Sequence, residues 1–114
     1  MIKRYEGTGR MSRVVEHNNT LYLCGQTEGK VETAKEQTKS ILKKIENLLS
    51  KYGSDKKHIL SVTIYLSEMV YFEEMNKVWD SWVVEGFEPA RATVEAKLAR
   101  EHLLVEMTVI AAKI

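Results

Sequence analysis

The sequence predicts an α+β domain with element order β-β-α-β-α-β-β, two helices covering one face of a mixed sheet. Three observations lead there. Apolar residues recur at helical spacing from Ile41 to Tyr52 and again from Phe72 to Val83. Two-residue alternation runs through "ILSVTIYL", "PARATVEAKL" and "LLVEMTVIAA". Asn and Gly stand between these segments where turns need them.

The first strand spans roughly Arg13 to His17, and Asn18-Asn19 supplies a turn into the second, "TLYLCGQ". Gly25 and Gly29 mark the exit from that hairpin. Thr33 and Glu36 have capping-box spacing, where each side chain satisfies a free amide at a helix start. Ile41, Leu42, Ile45, Leu48, Leu49 and Tyr52 then form one apolar face, and Gly53 provides a left-handed stop. With a Lys/Glu-rich back, this helix should lie on a sheet.

The strand Ile59 to Leu66 places Leu60, Val62, Ile64 and Leu66 on one side. Phe72, Met75, Trp79, Trp82 and Val83 make the stripe of the second helix, which Gly86 ends before Pro89. In the closing strands, Arg91, Thr93, Glu95 and Lys97 lie opposite an alanine-rich face. Leu104, Glu106, Thr108 and Ile110 lie opposite Val105, Met107, Val109 and Ala111. The second sheet face is therefore half polar and half apolar, as an oligomer interface carrying binding groups would be.

Length and composition narrow the function classes. The 114 residues suit one domain with one modest core. A formal net charge of +1 leaves no electrostatic footprint for nucleic acid. No apolar run nears the roughly 20 residues of a membrane span, and the first residues do not resemble a signal peptide. The single cysteine cannot form an internal disulfide, and a cytoplasmic location is the expectation. His17, His58 and His102 are scattered, so no metal is expected.

Three polar residues in apolar segments are candidates for chemistry. Arg91 offers a planar fork that matches a carboxylate or phosphate at two points; the alternative is a structural ion pair with Glu95 or Glu106. Glu106, a lone acid in an apolar strand, has to be paired, hydrogen-bonded or neutralised. It suits water orientation or proton transfer, unless it only pairs with Lys97 or Arg91. Asn76 falls inside the second helix's stripe, where its amide needs a partner, either structural or across a cleft. Cys24 has no base beside it and reads as a small strand residue rather than a nucleophile. If "AREH" closed a simple hairpin, Glu106 would face Glu95 and Arg91 would face Ile110, with Arg91 and Glu106 about 13 Å apart. One small ligand would then reach both only with a different register or a second subunit.

"LYLCGQT", "FEEMNKVWDSW", "PARATVEAKL" and "VEMTVIAA", in this order, resemble the RidA-type reactive intermediate deaminases, also called the YjgF/YER057c/UK114 family. The resemblance covers nearly the whole chain. It implies a chorismate-mutase-like fold assembled as a homotrimer around a central barrel, with sites in clefts between subunits. It also implies hydrolysis of 2-enamino and 2-imino acids to 2-keto acid and ammonia, without metal or organic cofactor. By position, Arg91 matches the arginine that grips the substrate carboxylate, and Glu106 the acid that places the water. Asn76 and Gly25 match cleft residues. Three cleft positions depart from the family pattern: Met11 replaces a tyrosine, Cys24 a serine and Thr93 a cysteine. These departures keep open a second expectation, a trimeric module that binds 2-keto acids without turnover. RNA cleavage, associated with some relatives, is the weakest expectation given the near-neutral charge.

Overall fold

The computed structural model describes residues 1–114 and contains one strand more than the sequence pattern indicates. The strands are β1 (Lys3–Gly7), β2 (Ser12–His17), β3 (Thr20–Leu23), β4 (Ile59–Leu66), β5 (Ala90–Glu95) and β6 (Val105–Ala112). The helices are α1 (Ala34–Lys51) and α2 (Phe72–Trp82). They form a single six-stranded sheet in the order β1-β2-β3-β6-β4-β5, antiparallel except where β5 runs parallel to β4.

Local chemistry places the elements. Asn18 and Asn19 both take positive φ, making the two-residue turn that suits a hairpin's twist. The Thr33 hydroxyl accepts from the Glu36 amide and donates to the Glu36 carboxylate, so the cap closes side chain to side chain. Gly53 takes φ +86° after α1, and the Ser54 amide donates back to the Leu49 carbonyl. The second helix stops at Trp82, and Gly86 belongs to the turn beyond it.

The core lies between the helices and one sheet face. Ile41, Leu42, Ile45 and Leu49 of α1 join Met75, Val78 and Trp79 of α2 against Val62, Ile64, Leu66, Val105, Met107 and Val109. Each such aliphatic side chain contributes about 1.5–3 kcal/mol by leaving water. No helix covers the opposite face, which holds Tyr22, Thr63, Tyr65, Glu106, Thr108 and Ile110.

Three strand expectations are corrected. The closing strands are not a hairpin, because β4 lies between β5 and β6. A pattern of alternation fixes faces but not neighbours, and the crossover through α2 puts β5 on the outer edge. Along β4 the pairing shifts between Ile59 and Ser61, so Ile59 enters the core and Leu60 is 50% exposed. The second strand also ends at Leu23, leaving Cys24 and Gly25 in the segment that follows.

Two polar side chains anchor the loops flanking β6. Gln37 is fully buried; its Nε2 donates to the Val31 and His102 carbonyls and its Oε1 accepts from the Leu104 amide. One helical residue thus ties the loop after β3 to the loop that leads into Glu106.

Glu28 accepts from the Ser40 hydroxyl, the Lys30 amide and the Lys44 ammonium, and these donors lower its carboxyl to about 2. The folded value lies below the usual 4.5, so the stabilisation is complete above that pH and fades as pH falls toward 2. Glu28→Gln is expected to lower the melting temperature at neutral pH. Melts of parent and variant should converge between pH 4.5 and about 2; a constant difference across that window contradicts this assignment.

Candidate functional site

The candidate residues fall into two groups on opposite faces of the sheet. In the parallel pairing of β4 with β5, Arg91 sits beside Val62 and Thr93 beside Ile64. Both therefore point to the helix side, not to the uncovered face. Glu106 sits beside Tyr65 and points the other way. Tyr65 in turn neighbours Val94, three residues along β5 from Arg91. That is about 10 Å along the strands and about 10 Å across two strand spacings, so roughly 14 Å separates the two residues, with the sheet between them. Within one chain no small molecule bridges them.

The first group gathers at the β5 edge. The Arg91 guanidinium lies 5.2 Å from the centre of the Trp79 ring. Within the chain it forms no ion pair. The carboxylate of Glu95 accepts from the Met69 amide, and Glu106 is on the far face. Asn76 precedes Trp79 by one turn of α2, and its Oδ1 is buried without a partner. The Thr93 hydroxyl, two residues beyond Arg91 on the same face, is likewise buried and unpartnered. An orphaned buried polar atom loses its water without compensation, and the Asn76 and Thr93 oxygens lie on the same two elements that carry Trp79 and Arg91.

The second group surrounds Glu106. A Cβ on Gly25 would lie 2.0 Å from Glu106 Oε2, so the absence of a side chain at 25 makes room for this carboxylate. Paired bonds between Gln26 and Met107, 2.8 and 3.1 Å, clamp the two segments together. Glu106 lines a cavity of about 290 Å³ with Tyr65, Thr108, Ala96, Lys97 and Leu98. It forms no ion pair with Lys97, the bland alternative for its role.

Cys24 adjoins this group. Its amide donates to the Arg13 carbonyl, and Gln26 Nε2 reaches its sulfur at 3.4 Å. Burial pushes its thiol up, the direction opposite to that of an activated nucleophile. Met11, 51% exposed, stands in the β1–β2 turn two residues before Arg13, at the same end of the sheet. No cluster of residues suited to hold a metal ion is present, and no helix is long and apolar enough to cross a membrane.

Sequence reasoning missed Trp79 as a neighbour of Arg91 and Gln37 as the tie between loops. Trp79 fits the core stripe so well that periodicity gives no hint of its half-buried charged neighbour. Gln37 did carry a signal, being a polar residue four before Ile41 on the apolar side of α1.

Comparisons with known proteins agree with this architecture. The family model described as Endoribonuclease L-PSP matches residues 1–113. The RutC family protein YoaB of Escherichia coli K12 is 45% identical over 111 residues, covering 97% of each chain. A RutC family protein of Haemophilus influenzae is 46% identical over 112 residues, covering 96% of this chain and 97% of the other. The crystal structure of NMB1025, a YjgF family protein from Neisseria meningitidis, superposes with a TM-score of 0.97 at 44% identity. It covers all of this chain and 96% of that one.

Proposed function

The chain belongs to the endoribonuclease L-PSP family, that of the RutC and YjgF proteins, and we propose that it hydrolyses 2-enamino and 2-imino acids to 2-keto acid and ammonia. The observation that carries this reading is the unpaired guanidinium of Arg91, lying over Trp79 on the two elements that also carry the unpartnered Asn76 and Thr93 oxygens. A fork of donors without a protein acceptor suits a carboxylate at two points. The opposite-face placement of Arg91 and Glu106 supports a composite site, in which one protomer contributes Arg91 and Asn76 and its neighbour Glu106 and Gly25. The uncovered sheet face supports a homotrimer as the assembly that brings these halves together.

In that cleft Arg91 holds the carboxylate of the imino acid and so fixes the adjacent imine carbon. Glu106 orients a water and takes its proton as the oxygen bonds to that carbon, giving a carbinolamine. Glu106 returns the proton to the carbinolamine nitrogen. The C–N bond then breaks as the hydroxyl oxygen forms the keto C=O and gives its own proton to Glu106, and ammonia leaves. An imine is already electrophilic, so positioning and one proton transfer supply most of what the step needs. No metal or organic cofactor enters this scheme.

The test is to generate 2-iminobutyrate in situ from an amino-acid precursor and follow its loss with catalytic amounts of protein. Acceleration over buffer is expected. No acceleration across several precursors overturns the enzymatic reading. Retained 2-ketobutyrate binding would then identify a binding module, the reading that Met11, Cys24 and Thr93 favour.

A further inference from the structure

We propose that Trp79 is the positioning residue of the carboxylate clamp: its indole face holds the Arg91 guanidinium in the orientation that receives the ligand. This rests on the reading that Arg91 binds the substrate carboxylate.

An arginine on an edge strand would ordinarily sample many rotamers, and each contact it made would cost the entropy of freezing them. Arg91 is spared this because its guanidinium lies over the indole at 5.2 Å, inside the range where the ring's negative face attracts a cation. No carboxylate of the chain competes for it. The contact with the ring is made without any protein acceptor for the N–H donors of the fork, and those are the groups that meet a carboxylate at two points.

The ring is itself fixed. Trp79 is 6% exposed and lies 5.4 Å from Trp82 at a tilt of 49°. Trp82 donates from Nε1 to Glu46 on α1, and the Lys56 ammonium reaches its carbonyl at 2.7 Å. A chain of contacts thus runs from α1 through both indoles to Arg91.

Because Trp79 is also a core residue, simple truncation would confuse lost packing with lost positioning. Ring fluorination separates them, since it weakens the negative face while nearly preserving shape. Trp82→Phe leaves Trp79 as the only indole, and this variant is produced with tryptophan, monofluorotryptophan and tetrafluorotryptophan. The same series is made in the parent chain, so the test stands even if Trp82→Phe does not fold. Calorimetry with 2-ketobutyrate is expected to show Kd rising stepwise with fluorine content, on the order of threefold to tenfold across the series. Melting temperatures should stay nearly level. Arg91→Ala is measured alongside. If Arg91→Ala abolishes binding but fluorination leaves Kd unchanged, Trp79 only packs and the positioning role is overturned. If Arg91→Ala binds like the parent, the clamp reading fails and this inference fails with it.

Discussion

Arg91→Ala is expected to weaken 2-ketobutyrate binding by about a hundredfold, the loss of a two-point charged contact. The fold should hardly notice. Arg91 makes no ion pair within the chain, and the truncation removes only its contact over a ring that stays packed against Trp82 and the core. Arg91→Lys retains the charge but not the planar fork, so an affinity between parent and alanine variant is expected. Calorimetry of the three proteins, with melting curves beside them, checks the ordering. Equal affinities for parent and Arg91→Ala would remove the carboxylate clamp from both the enzymatic and the binding-module readings.

Glu106→Gln is expected to lower turnover by about 10²-fold or more while 2-keto acid affinity stays near the parent's. Glutamine has the shape of glutamate, so it still fills the space left open at Gly25 and only the charge and basicity are lost. Unchanged turnover would reduce Glu106 to a packing role. The same pair of variants tests whether a site is shared between protomers. Arg91→Ala and Glu106→Gln chains, each nearly inactive alone, should recover part of the activity when unfolded together and reassembled. One interface of a mixed assembly then has both original residues. Absence of recovery would mean that the two groups act within one chain, against the 14 Å and the intervening sheet estimated from strand geometry.

Much of the fold was legible because individual residues carry strong local signals. The Thr33 cap, the α1 stripe, Gly53 and the Asn18-Asn19 turn each act over a few residues, and all stand where the pattern placed them. The first strand was not legible. "KRYEG" has only Tyr5 turned inward, and it holds an edge position by stacking on Tyr52 and by the Tyr5 bond to Glu16. Alternation in β5 was visible but its polarity was misleading. The alanines face away from the helices and Arg91 faces toward them, because an indole rather than an aliphatic neighbour receives it. Among the candidate residues, Arg91, Glu106 and Asn76 were legible as polar groups in apolar company. What was hidden was their distribution over two faces, since strand order is a long-range property that no local window contains.

The close approach of Gly25 to Glu106 has a consequence for how this sequence can diverge. Alanine at position 25, the smallest possible step, would make the Glu106 carboxylate swing aside, since the atom it meets is the free end of a flexible side chain. The two positions are therefore coupled: a side chain at 25 is accommodated only by a new orientation of the carboxylate that lies over it.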